Sequence, residues 1–125
     1  MKKYEMKLGY TTIQHLPRTK YGLSNNDYCI ADAIYHLSNN PNSIVFGWCF
    51  ATRETLGSFF DLSKRTVINS INKLKEKELI EIDDQTKYLR TTQKWYNEFI
   101  IYQETMQKSI RGEKIAHPMQ RTRIG

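Results

Sequence analysis

The chain has 125 residues, enough for one core without disulfide or metal staples. Its 19 Lys plus Arg against 13 Asp plus Glu give a net charge of +6, which permits a polyanionic partner as readily as it serves solubility. Two lone cysteines and three scattered histidines offer no metal-ligand spacing. No stretch approaches the roughly 20 apolar residues of a membrane span. No Gly-rich phosphate loop, paired carboxylates or nucleophile with a matching base occurs. The expectation is a chain that is not an enzyme and uses no metal, cofactor or membrane. Cys29 and Cys49, each beside bulky apolar neighbours, fit reduced thiols of a cytoplasmic protein. The basic start, Met1-Lys2-Lys3, is not followed by an apolar run, so no secretion signal is expected.

In chain order, residues 4–16 read as extended, because Met6, Leu8 and Tyr10 alternate with Lys7 and Gly9. Pro17 and Gly22 bracket Arg18-Thr19-Lys20, a basic loop that is either a solvated connection or a phosphate contact. A helix then starts at Ser24, whose hydroxyl can cap, with Asp27 placing negative charge in the first turn. Ile30, Ile34 and Leu37 give its i, i+4, i+7 stripe. The turn formers from Ser38 to Ser43, with Pro41 among them, end it. Ser43–Phe50 is rich in Val, Ile, Phe and Trp and reads as a short buried strand or extended connector. Trp48 there is either core or a base-stacking ring.

Thr52 caps the next helix, with Glu54 in its first turn and Leu56, Phe59 and Phe60 as apolar residues. A turn at Asp61-Leu62-Ser63 follows, and Ser63 caps a second helix whose stripe is Val67, Ile71 and Leu74. With about 100° per residue, Arg65, Asn69, Asn72 and Glu76 lie opposite Val67, and Lys73 lies at the margin. An apolar back with an Arg/Asn/Lys front is the chemistry that can enter a DNA major groove.

Residues 46–82 resemble the helix-turn-helix core of a winged-helix protein. The likeness is to phage replisome-organiser and plasmid replication-initiator domains and to small transcription regulators. It rests on Gly57 inside the first helix, the Leu62-Ser63 pair, Arg65-Thr66-Val67, Leu74 closing the second helix, and Leu79-Ile80 opening the wing. Asp61 and Glu78 stand where that pattern usually has Gly. The resemblance implies a mainly α fold with a small β-hairpin wing: a winged helix-turn-helix with a three-helix core, a wing and an extra C-terminal helix. The likeness extends as an architecture over about 24–92; the residues themselves divide the chain into a domain at 1–110, with the helix-turn-helix at 52–77, the wing at 79–91 and the C-terminal helix at 93–109. Residues 111–125, aperiodic, with four basic residues against one Glu and with Gly112 and Pro118, read as a basic, flexible tail or as a linker to a further domain.

The wing reads from residues as two strands, 79–83 and 87–91, around Asp84-Gln85-Thr86. Its tip carries Asp83 and Asp84 rather than Arg or Lys, so it suits side contacts from Lys87 and Arg90 better than deep entry into a minor groove. Beyond it, Trp95, Phe99, Tyr102 and Met106 recur at i, i+4, i+7, i+11. This aromatic stripe needs a cover: either the chain's own first helix, or a second copy in a homodimer, as the resemblance implies.

The candidate DNA contacts are therefore Arg53, Thr55, Ser63, Lys64, Arg65, Thr66, Asn69, Asn72, Lys73, Lys87 and Arg90. Arg65 suits guanine or a phosphate, and Asn69 suits adenine. Ser63 and Thr66 lie where hydroxyls and free N–H groups can hold phosphate. Ile68 is either a thymine-methyl contact or core margin. The expected function is sequence-preferring double-stranded DNA binding through residues 63–77. The resemblance places it in replication initiation or transcription regulation of a phage or mobile element. The alternative is a winged-helix interaction module whose partner is a replication or regulatory protein.

Overall fold

The computed structural model describes residues 10–40 and 47–110. The architecture is mainly helical, with one small two-stranded antiparallel hairpin. The expected extended segment at 4–16 lies outside the described residues up to residue 9, and its end is not a strand. His15–Lys20 forms a short helix, α1, where a loop was expected. Pro17 sits in the first turn, where a missing N–H leaves no bond unmade. Gly22, at φ 68°, closes the helix. The Gly22 N–H reaches the Thr19 carbonyl at 3.0 Å and the Leu23 N–H that of Arg18 at 3.0 Å. The Arg18 guanidinium ties the same turn by donating to the Leu23 carbonyl at 2.6 Å, so this stretch is a built corner of the fold.

Helix α2, Asn25–Ser38, begins in a capping box, with the Asp27 N–H on Ser24 Oγ and the Ser24 N–H on the Asp27 carboxylate. It is the central helix. Tyr28, Ile30, Ala31, Ala33, Ile34 and Leu37 are all buried. Of the strand expected at 43–50, residues 43–46 lie outside the described residues. Cys49 makes a single antiparallel bridge to Leu89, at 2.6 and 3.0 Å.

Helices α3 (Arg53–Ser58) and α4 (Lys64–Glu76) start at their expected caps, with Thr52 Oγ1 accepting the Thr55 N–H and Ser63 Oγ the Thr66 N–H. Phe59 and Phe60 fall in the connecting turn. The turn folds onto α3 so closely that a Cβ at Gly57 would collide with the Leu62 carbonyl and meet Val67 Cγ2 at 3.1 Å. Asp61 takes φ 57°, the left-handed conformation that Asp tolerates, and the Leu62 N–H returns to the Gly57 carbonyl at 2.9 Å. The end of α4 is sharp without glycine. Glu78 sits at φ 64°, while the N–H groups of Glu78 and Leu79 reach the carbonyls of Lys75 (2.9 Å) and Leu74 (3.0 Å).

Strands β1 (Ile80–Ile82) and β2 (Leu89–Thr91) pair Ile80 with Thr91, Glu81 with Arg90 and Ile82 with Leu89. They are shorter than the expected 79–83 and 87–91. The Asp83 N–H still reaches the Tyr88 carbonyl at 2.9 Å, but its carbonyl accepts the N–H of the left-handed Lys87 (φ 65°) at 2.9 Å, and its carboxylate takes the N–H groups of Gln85 and Thr86 and the Thr86 hydroxyl, so Asp83 turns the ladder into the hairpin loop.

The expected helix at 93–109 is three pieces in one run: α5 (Gln93–Trp95), a π-helical turn (Tyr96–Ile100) and α6 (Ile101–Ile110). Trp95 and Phe99 are fully buried, stack on each other at 4.1 Å and present to the edge-on ring of Tyr28 at 5.4 and 5.7 Å. This corrects the reading of Trp95 and Phe99 as a homodimer interface: α2 of the same chain covers them. Tyr102 and Met106 are half-buried. One apolar cluster thus joins α2, α3, α4, the hairpin and the C-terminal run.

Candidate nucleic-acid interface

Helix α4 separates its two faces completely. Val67, Ile71 and Leu74 are buried, while Arg65, Asn69, Asn72 and Glu76 are exposed on the opposite side. The side chains of Arg65, Asn69 and Asn72 make no hydrogen bond or ion pair among the described residues. They are donors and acceptors held toward solvent on a rigid, capped element.

A cleft of about 450 Å³ lies beside this face. Its walls are the segment from Phe50 to Glu54, Lys64 and Ile68 of α4, and Thr86 to Tyr88 at the hairpin tip. Arg53, Lys64 and Lys87 put three cations on its lining, against Glu54. The Arg53 guanidinium donates to the Lys87 carbonyl at 3.1 Å, which fastens the hairpin tip to the start of α3. Lys64 pairs with Glu54 at 3.1 Å, an exposed contact that solvent screens and a stronger anion can displace. Phe50 and Tyr88 meet edge-on at 6.2 Å in the lining, and Ile68, 38% exposed, completes its apolar part. Ile68 thus stands beside the amide face of α4, across from the hairpin tip.

Of the other expected residues, Lys73 stays beside Asn69 and Asn72 on the surface of α4, and the rest are distributed elsewhere. The Ser63 and Thr66 hydroxyls bond each other at 3.0 Å while Ser63 caps α4. Thr55 Oγ1 accepts from the Thr52 hydroxyl at 3.0 Å. Arg90 does not line the cleft. Its guanidinium lies 4.2 Å from the centre of the half-exposed Trp48 ring and donates to Glu81 at 3.3 Å. Trp48 is thus a platform for Arg90 and not a core residue. Lys73 is the main departure. Its ammonium lies 3.0 Å from the buried Asp27 carboxylate, so its charge is matched within the chain. Burial pushes the Asp27 carboxyl up, but hydrogen bonds from Ser70 and the Ser24 N–H and the charge of Lys73 outweigh it and hold it below the usual value.

Phe50, Thr86 and Tyr88 escaped sequence reasoning, because a cleft shared by three segments has no local period. Ser70 left a signal. It follows Val67 by three residues and so lies on the buried stripe, where a hydroxyl needs a partner. The Asp83 carboxyl, held low chiefly by the Thr86 N–H and hydroxyl, is accounted for by its own turn.

Among the described residues no group of His, Cys, Asp and Glu could hold a metal ion, and no helix is long and apolar enough to cross a membrane. Cys49 is buried and its thiol is pushed up to about 11 by that burial. Comparison with protein-family models, curated proteins and solved structures returned no match.

Proposed function

We propose that this chain is a winged helix-turn-helix protein that binds double-stranded DNA, with α4 as the recognition helix and β1–β2 as the wing. The observation that carries the reading is the exposed, unpartnered face of Arg65, Asn69 and Asn72 on a helix whose opposite face is wholly buried. Arg and Asn are the side chains that pair bidentately with guanine and adenine in the major groove. The adjoining cleft, with Arg53, Lys64 and Lys87, is suited to a backbone phosphate beside that groove. Lys73 is left out of the binding set, because Asp27 already neutralises it. The order of a three-helix core followed by a hairpin supports the winged reading. A role in replication initiation or transcription regulation of a phage or mobile element follows from the sequence resemblance.

The test is affinity for random duplexes at several salt concentrations. About 3–6 neutralised phosphates are expected, each adding about −0.9 to the log–log slope. A flat dependence, or no binding at low salt, overturns the proposal. Arg65→Ala is expected to weaken binding and to relax sequence preference at one position by about 1–3 kcal/mol.

A module that binds only protein has weaker support. The features that would favour it are the acidic hairpin tip and the aromatic stripe of the C-terminal run. Asp83 is engaged in its own turn, and Trp95 and Phe99 are in the core.

A further inference from the structure

One charged group is buried between two helices outside the cleft. Asp27, 4% exposed, is fixed to the start of α2 from both sides: its carboxylate takes the Ser24 N–H at 2.8 Å and its own N–H donates to Ser24 Oγ at 3.0 Å. The same carboxylate faces α4. Oδ1 accepts the Ser70 hydroxyl at 2.6 Å, and Oδ2 lies 3.0 Å from Lys73 Nζ. Ser70 and Lys73 are three residues apart and so share one side of α4.

We propose that Asp27 is a positioning residue that sets the rotation of α4 about its own axis, and thereby the direction in which Arg65, Asn69 and Asn72 face. The apolar contacts of Val67, Ile71 and Leu74 bind α4 to the core, but hydrophobic burial is itself non-directional and orients the helix only through the fit of side chains. Two short hydrogen bonds to one carboxylate do have direction, and one of them is charge-assisted. A turn of α4 by one residue, about 100°, breaks both. Each indexing residue directly follows an outward amide: Ser70 follows Asn69, and Lys73 follows Asn72. Register-setting is the best-attested use of a buried charged group. The consequence for sequence preference rests on the DNA reading; the rotation itself does not.

The experiment uses the full chain and alters only the α4 side, so the α2 cap stays intact. Ser70→Ala/Lys73→Met is compared with the parent by residual dipolar couplings of backbone amides, whose periodicity along α4 reports its rotation relative to α2. If the pair does not fold, Ser70→Ala alone carries both measurements. An altered phase in α4 with α2 unchanged is expected, and an unchanged phase overturns the proposal. In the second arm, affinities are measured for a site selected from a random duplex pool and for random duplex. The ratio is expected to fall about tenfold, the equivalent of one base contact, while the salt slope stays at the parent value. Lys73→Arg, which keeps a cation for Asp27, is expected to keep the parent ratio. A slope reduced by about 0.9 in Lys73→Met with an unchanged ratio makes Lys73 a phosphate contact and also overturns the proposal. If the parent binds no duplex at all, the DNA reading fails, and the couplings still decide whether Asp27 sets the rotation.

Discussion

At the scale of single residues, two backbone positions make opposite demands. Gly57 has the Leu62 carbonyl where a Cβ would stand, so Gly57→Ala must push the turn off α3. It is expected to destabilise the chain by about 1–3 kcal/mol, read as a lower urea midpoint with an unchanged slope. Glu78 is the reverse case. It holds φ 64° with a Cβ that disfavours it, at the position where helices commonly end in glycine. Glu78→Gly is expected to raise stability by about 1 kcal/mol, because the strain relieved exceeds the added freedom of the unfolded chain. A loss of stability in that variant would show that the Glu78 side chain has a role beyond closing the helix. The identity of Gly57 was legible as a small residue inside α3. Its reason was not, since the colliding carbonyl belongs to the far side of the turn.

At the scale of elements, α4 depends on its two attachments, the cap at Ser63 and the carboxylate of Asp27. Ser63→Ala removes the acceptor for the Thr66 N–H and is expected to cost about 1 kcal/mol, with faster amide exchange in the first turn of α4. The Asp27 attachment carries a pH signature. Because the folded carboxyl is held below its ordinary value of about 3.9, its stabilisation is complete above that value. It is lost as pH falls through the lowered folded pKa. The stability gap between parent and Asp27→Asn should therefore be constant near neutrality and narrow in that acid window. A gap that instead widens on acidification contradicts the assignment. Helix starts at Ser24, Thr52 and Ser63 were readable because capping joins residues two or three apart. The hairpin strands were overextended because Asp83 reads as a strand end, while its three hydrogen bonds make it a turn builder.

At the scale of the whole molecule, the C-terminal run closes the core. Trp95 and Phe99 lie against Tyr28, with Tyr21 a further 5.7 Å neighbour of Phe99. Phe99→Ala is expected to cost about 3–5 kcal/mol, measured by denaturant unfolding. Light scattering on that variant below its midpoint should match the parent, since Phe99 has no exposed surface for a second copy to use. A parent dimer that dissociates in Phe99→Ala would require the C-terminal run to exchange between chains.

The sequence by itself determined where α2, α3, α4 and the C-terminal run start, which residues of α4 face the core, and that Arg65, Asn69 and Asn72 face away from it. Those are consequences of helical period and of contacts between near neighbours. Only the tertiary structure decided which charges remain available. Ser70 meets Asp27 across 43 residues of sequence, Lys73 joins the same carboxylate, and Arg90 is held by Trp48 and Glu81. It also decided that Trp95 and Phe99 of the aromatic stripe are core, while Tyr102 and Met106 stay half-buried. A side chain's partner is whatever lies within about 3 Å of it, and for residues on different elements that distance is fixed by packing, not by period.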